Sequence, residues 1–320
     1  MNLLISSSLD PYWNLAAEEY LLKNTQDDYI FLYVNKSSVV VGKHQIAQKE
    51  VNSKFINENN ILVARRLSGG GAVYHDEGNL NVSFIQTTKP GENISYKTIT
   101  QFFYQFLSDQ IPELVLTERN DFVINGKKVS GSAMHIFKNR LLAHCTLLIT
   151  CNLEKLSASL RGYPERFTDK SISSKRSAVM NLSQISSSIS VGKMIHEFGD
   201  YLRKIYADLK VFTLNSNSKD QIQELASSKY STLSWIYGYS PKYIYQNTFT
   251  YRYTIFHYTL EIEKGNIESA KLDLYHSDNS QIQSQLNGLR GKEHNPKLLL
   301  ELKNAVDLSE MEGLLISSLL

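Results

Sequence analysis

Hydrophobic and polar residues follow two different periods along this chain. Ile99, Phe102, Phe103, Phe106 and Leu107 recur at i, i+3, i+4, i+7 and i+8, which predicts a helix with one apolar face. Val191, Ile195, Phe198, Leu202 and Ile205 predict a second amphipathic helix by the same rule. Leu80, Val82 and Phe84 instead alternate with Asn81 and Ser83, which is the period of a strand. Apolar and β-branched runs at 29–34 and 39–42, separated by 35–38, predict a hairpin, and 61–66 and 141–150 predict further strands. Asn14 is placed to cap a short helix over 15–23, with Glu18 and Glu19 near its start.

Asn125-Gly126 lies between two short β-prone runs, 123–124 and 127–130. Both central positions of such a tight turn need positive φ, so the pair predicts a hairpin with Lys128 on its second strand. The serine-rich stretch 216–229 reads as a polar connection. Beyond it the texture changes. A long β-prone run, 248–263, is turned by Gly265-Asn266 and returns over 267–275, followed by helical segments near 282–289 and 296–308. That predicts a compact α+β unit of about 70 residues after a larger α/β part, with the junction at 245/246.

Composition narrows the class. The chain has 320 residues, 42% hydrophobic and 21% charged, which is ordinary for a globular protein. Its 34 basic and 32 acidic side chains leave a net charge of +2, without the basic footprint of a general nucleic-acid binder. Two cysteines, Cys145 and Cys151, form no CxxC pair and fit a reducing compartment. No stretch approaches the ~18–20 apolar residues of a membrane span, and the N-terminus lacks a signal-peptide pattern. A cytoplasmic protein is expected, with no membrane and no nucleic-acid partner.

Three stretches carry candidate chemistry. In the first, Arg65-Arg66-Leu67-Ser68-Gly69-Gly70-Gly71-Ala72-Val73-Tyr74-His75-Asp76 is followed by Gly78-Asn79-Leu80-Asn81. Three consecutive glycines let backbone N–H groups converge on an anion, and two arginines add forked donors. Glycine content alone fits a bare turn with solvated arginines equally well. The adjoining His75, Asp76 and Asn79, which can brace the loop, tilt the balance towards a site. No Lys-Ser or Lys-Thr follows at P-loop spacing, and no dinucleotide fingerprint opens a helix. The second stretch is Asn120-Asp121, then Lys128-Val129-Ser130-Gly131-Ser132-Ala133. A lone lysine after a turn is usually a solvated residue, but beside a Gly-Ser segment its point charge suits a carboxylate and a phosphate together. The third stretch is Ala143-His144-Cys145-Thr146-Leu147-Leu148, where Cys145 reads better as a small buried hydrophobe than as a nucleophile.

With these stretches in this order and spacing, the chain resembles the lipoate–protein ligase family. The resemblance extends over nearly the whole length, through 14–22, 42–51 and Trp235-Ile236-Tyr237-Gly238 with Pro241. It implies a large α/β catalytic domain of the biotin/lipoate-ligase type, 1–245, with mixed sheets and flanking helices. It also implies a small C-terminal α+β accessory domain, 246–320. The implied reaction joins lipoate to ATP, giving lipoyl-AMP and diphosphate, and then moves the lipoyl group to a lysine of an apo lipoyl domain. The implied acceptors are 2-oxoacid dehydrogenase E2 subunits and the glycine-cleavage H protein.

Lys128 takes the catalytic role in this resemblance, as an electrostatic stabiliser of both steps. Arg66, Ser68, Gly70, Gly71, Ala72, Val73 and Tyr74 fall at positions for ATP or acyl-adenylate, as do His75, Asn79, Asp121, Ser130, Gly131 and His144. Asp121 is also the expected ligand of Mg2+. Cys145 stands where bacterial ligases commonly have glycine, and His135 where the family tends to have Arg or Gln. The Cys145 form resembles a lipoyltransferase that starts from preformed lipoyl-AMP, both departures bear on the ATP-activation step, and that reading stays open beside the ligase. So does an ATP-free octanoyltransferase. A non-catalytic module that binds lipoylated or acyl-carrier domains sits poorly with an intact Lys128 and glycine loop.

Overall fold

The computed structural model describes residues 1–88, 96–118, 120–174, 177–251, 253–273, 280–296 and 318. A six-stranded mixed sheet organises the larger part. Its spatial order is Ser132–Phe137, Arg140–Leu148, Asn79–Thr87, Tyr29–Val34, Asn2–Ile5 and Lys210–Val211. Asn2–Ile5 runs parallel to both of its neighbours, while the other pairs are antiparallel. The two helices predicted from periodicity are present as Tyr96–Ser108 and Val191–Ile205. Phe103, Phe106, Met194, Phe198 and Leu202 pack with Ile30, Val82, Phe84 and Leu141 in one buried cluster on one face of the sheet. The helix Pro11–Asn24 covers the opposite face, burying Leu15, Ala16, Leu21 and Leu22 with Phe31, Tyr33 and Ile85.

Coverage of both faces changes what the alternation in Asn79–Thr87 means. Asn79, Asn81 and Ser83 are buried at 0–2% exposure. The polar side of this strand therefore faces the helix Pro11–Asn24 rather than water, and forms the floor of a polar interior.

Several expectations are corrected. Tyr29–Val34 and Ser38–Val41 are not a hairpin. Ser38–Val41 leaves for a three-stranded sheet, parallel to Leu62–Arg65 and antiparallel to Val73–His75. Tyr29–Val34 and 39–41 are unbroken runs of aromatic and aliphatic residues, so their period names no partner. Asp10 caps the first helix by accepting from the Tyr12 N–H, and Asn14 is fully buried inside it. The stretch 216–229 is a helix, Ser216–Leu225, running into a wider turn, Ala226–Tyr230. Ile222, Ala226 and Tyr230 give it a buried i, i+4, i+8 stripe that its serines obscure.

The β-prone run near 248–263 is two antiparallel strands, Tyr243–Tyr251 and Thr254–Glu263, turning at Tyr253 with φ 64°. They join Asn266–Asp273 and Phe167–Asp169 in a four-stranded sheet. The helix Ser280–Asn287 packs beside that sheet, burying Leu286 with Ile267, Ala270 and Leu272. The chain is thus a mixed α/β catalytic fold with a small C-terminal accessory region. The strand Tyr243–Tyr251 runs across position 245/246. The half-buried ion pair Lys49–Asp169, 2.7 Å, and a hydrogen bond from Gln48 to the His294 carbonyl tie this sheet to the larger part. The helix expected over 296–308 lies outside the described residues, apart from position 296. No described helix is long and apolar enough to cross a membrane.

Candidate active site

Lys128 is delivered by the predicted hairpin. Phe122–Ile124 pairs with Lys127–Ser130 across a turn in which Asn125 and Gly126 have φ of 50° and 73°. Main-chain bonds fix the second strand further: the Lys128 N–H donates to the Ala178 carbonyl at 2.8 Å, and the Met180 N–H donates to the Lys128 carbonyl at 3.1 Å. The Lys128 ammonium meets the Asp121 carboxylate at 2.7 Å, with both side chains about a quarter exposed (27% and 25%). The cation is held, but a ligand can reach it.

The glycine loop is built from behind by Arg66. Its guanidinium donates to the Val40, Gly69 and Gly71 carbonyls at 3.0, 2.7 and 2.8 Å and to the Ser68 hydroxyl at 3.0 Å. The Ser68 carbonyl accepts from the Lys43 N–H at 2.9 Å. With these carbonyls engaged, the N–H groups of Gly69, Gly70 and Gly71 are the side left for an anion, the Ala72 N–H being taken by Ser174. Gly70 adopts φ +88°, and its carbonyl lies where a Cβ on Gly42 would stand, 2.1 Å away. Both positions therefore require glycine. Arg65, expected to share the anion site, faces the other way and is wholly buried among main-chain carbonyls.

Two adjoining cavities, of about 350 Å³ and 550 Å³, meet at this point. Ala72, Val73, Lys128 and Gly131 line both, so Lys128 stands in the shared wall. The smaller cavity also takes Arg66, Gly71 and Asp121 and runs inward to Tyr33, His75, Asn81 and His144. The larger reaches Tyr74, Ser130, Lys49 and Arg161. Of the expected residues, Ser68, Gly70 and Asn79 line neither. Ser68 and Gly70 shape the loop, and Asn79 is buried in its strand, bonded to Asn81 at 3.3 Å.

A buried polar chain underlies the smaller cavity. The Ser68 hydroxyl lies 2.7 Å from His144 Nε2, and His144 Nδ1 lies 3.0 Å from the Glu18 carboxylate. Glu18 also accepts from the Tyr33 and Ser83 hydroxyls. Burial raises the Glu18 carboxyl pKa, but the His144 charge and these hydrogen bonds outweigh it and hold the group below its ordinary value. Glu18 was not singled out from sequence. Its one signal is a carboxylate on the helix face that also carries Leu15, Leu21 and Leu22. Also missed was the segment 172–179. Ser174 accepts from the Ala72 N–H at 2.8 Å, and Ser173, Ser174 and Ser177 line both cavities. The short serine-rich, basic run 173–177 was its only mark in the sequence.

His75 Nδ1 meets the Asn35 amide nitrogen at 3.0 Å. Burial, then the Arg66 and His144 charges, push its pKa down to about 3, and burial takes His294 to about 4, against an ordinary 6.5. An unfolded chain protonates these imidazoles near 6.5, whereas the folded one resists until far lower pH. Unfolding therefore takes up protons between those limits, and stability falls as pH drops from about 6.5. The expected slope is up to about 1.4 kcal/mol per pH unit for each imidazole. Urea unfolding at pH 7, 6 and 5 checks this. The midpoint should fall steadily, and less steeply in His294→Phe.

The sequence profile of the lipoyl protein ligase A/B catalytic domain matches residues 10–203. Lipoate-protein ligase LplJ of Bacillus subtilis is 34% identical over 316 residues, covering 95% of this chain and 93% of its own. A crystal structure of lipoate-protein ligase A bound with ATP superposes with a TM-score of 0.64 at 25% identity, over 74% of this chain and 98% of that one. A bipartite lipoate protein ligase of Thermoplasma acidophilum, solved in a study of that ligase and its E2 lipoyl domain, gives a TM-score of 0.63. It is 24% identical, over 74% of this chain and 96% of its own, and so shares the fold. The fold is that of a lipoyl protein ligase catalytic domain. The chain belongs to the lipoate–protein ligase family.

Proposed function

We propose that the chain works as an ATP-dependent lipoate–protein ligase in which Lys128 serves both half-reactions. The observation that carries this is the place of Lys128 in the wall between the two cavities, opposite the glycine loop. In this reading the smaller cavity holds the lipoyl chain and the larger holds the nucleotide. A lipoate carboxylate oxygen attacks the α-phosphorus of ATP, the bond to the β-phosphate oxygen breaks, and diphosphate leaves. An acceptor lysine, as its free amine, then attacks the acyl carbonyl. AMP departs with the electron pair of the broken anhydride bond, and the amine gives up its proton. The Lys128 ammonium stabilises charge on the α-phosphate and on the tetrahedral oxyanion. Arg66 and residues 70–74 orient the adenylate, with Asp121, Ser130, Gly131 and His144 around it.

Mg2+ fits the described residues poorly. Asp121 is committed to Lys128, and no group of three or more His, Cys, Asp or Glu is assembled among them. The metal would enter on the phosphates of ATP. The acceptors proposed are apo lipoyl domains of 2-oxoacid dehydrogenase E2 subunits and the glycine-cleavage H protein. The division at 245/246 and a cytoplasmic location, which two free buried thiols suit, belong to the same reading.

Cys145 argues against the ATP-free octanoyltransferase. It is 2% exposed, and burial pushes its thiol far above the ordinary range, so a thiolate nucleophile is not available there. Use of preformed lipoyl-AMP keeps support from Cys145 following His144. Purified protein with ATP, magnesium, lipoate and an apo lipoyl domain separates the two readings. A ligase releases diphosphate in step with lipoate and adds one lipoyl mass to the acceptor. Lipoylation from lipoyl-AMP alone, with no diphosphate from ATP, would overturn the activation step.

A further inference from the structure

The inner end of the smaller cavity is not simply apolar. Tyr33, His75, Asn81 and His144 stand there, and none of them lines the larger cavity. His75 is 3% exposed, and its Nε2 has no hydrogen-bond partner among the described residues.

The tautomer of this imidazole is set by a buried relay. Asn14 faces the Ser8 and Val34 carbonyls with one end of its amide, which must therefore be the nitrogen, and its oxygen accepts from the Ser6 hydroxyl at 2.7 Å. Its nitrogen donates to the Ser8 carbonyl at 2.9 Å, the Val34 carbonyl at 3.2 Å and the Asn35 oxygen at 2.9 Å. Asn35 must then present its nitrogen to His75 Nδ1 at 3.0 Å. An amide nitrogen only donates, so Nδ1 accepts and the proton of the neutral ring sits on Nε2. The result is a buried, oriented N–H donor in the wall of the cavity.

We infer that His75 Nε2–H donates to a ring sulfur of the bound acyl chain, and so selects lipoate over straight-chain or carbocyclic acids of like length. This rests on the ligase reading for the identity of the smaller cavity. A buried donor left without a partner is costly, and a saturated hydrocarbon offers none. A thioether-like sulfur is a weak acceptor but removes much of that cost. Shape alone separates acids of similar bulk poorly, because apolar pockets discriminate weakly between near-isosteres.

The test compares lipoate with 5-cyclopentylpentanoate, which keeps the five-membered ring but carries methylenes in place of both sulfurs. Dissociation constants from calorimetry on the full chain and kcat/KM for diphosphate release are measured for wild type, His75→Phe and Asn35→Asp. Wild type should favour lipoate by about 3–10-fold, the scale of one weak hydrogen bond. His75→Phe removes the donor. Asn35→Asp puts an acceptor-only carboxylate against Nδ1, so that Nδ1 carries the proton and Nε2 becomes an acceptor. Either variant should bring the ratio close to one. Equal binding of the two acids by wild type overturns the inference. So does a ratio that stays put in both variants, as does an equal loss of both acids, which would place His75 at the carboxyl end. If lipoate binds with the expected preference but diphosphate is never released, the ligase reading fails and the inference stands.

Discussion

Lys128→Ala is expected to lower lipoyl transfer by about 10²–10³-fold, the usual effect of removing one preorganised charge from a reacting oxyanion. The fold should survive. The side chain is 27% exposed, and the main-chain bonds to Ala178 and Met180 that place its strand do not involve the ammonium. The ion pair with Asp121 would be lost, but a partly exposed pair contributes little to stability. Because the ammonium stands between both cavities, the substitution should slow both half-reactions. Release of diphosphate from ATP and lipoate should fall, and so should release of AMP when preformed lipoyl-AMP meets an apo lipoyl domain. Measured separately, the two rates report whether one cation serves both steps. Near-normal turnover in either assay, with an unchanged melting profile, would remove Lys128 from that step.

The elements that could be read from sequence are those whose burial pattern matches a single period. The helices Tyr96–Ser108 and Val191–Ile205 each bury one stripe against one sheet face, and their spacing shows it. The Asn125-Gly126 turn was legible because its backbone demands few residue types. Strand partners were not. Tyr29–Val34 and 39–41 are continuous runs of aromatic and aliphatic residues in different sheets, and pairing between distant segments leaves no local mark. The candidate site shows the same limit. Its glycine loop and Lys128 are short local motifs. The groups behind them come from elsewhere in the chain, among them Glu18 in the first helix and Ser174 across the loop from Ala72. The polar alternation of Asn79, Asn81 and Ser83 was read correctly as a strand, but period alone does not say whether the polar face meets water or a buried carboxylate.

The two adjacent arginines looked alike in sequence and are expected to behave differently. Arg65 is 0% exposed and is surrounded by carbonyls rather than paired with an acid. It donates to the carbonyls of Gly42, Lys43 and Gln45 at 2.9, 3.0 and 2.8 Å, and to those of Trp235 and Ile236 at 3.0 and 2.9 Å. Its own carbonyl accepts from the Trp235 indole at 2.9 Å. Burial lowers the guanidinium pKa to about 10, so it stays charged at neutral pH, stabilised by these dipoles. One side chain thus joins segments some 170 residues apart, at the loop on which Gly70 rests.

A lysine here has three donors, no planar fork and a more strongly hydrated charge. It would leave at least two buried carbonyls unpaired, at about 1–3 kcal/mol each. Arg65→Lys is therefore expected to destabilise the fold by about 3–4 kcal/mol, seen as a large drop in the urea unfolding midpoint. A loss below about 1 kcal/mol, with the KM for ATP raised instead, would mean that Arg65 meets the nucleotide and that these carbonyls are satisfied without it.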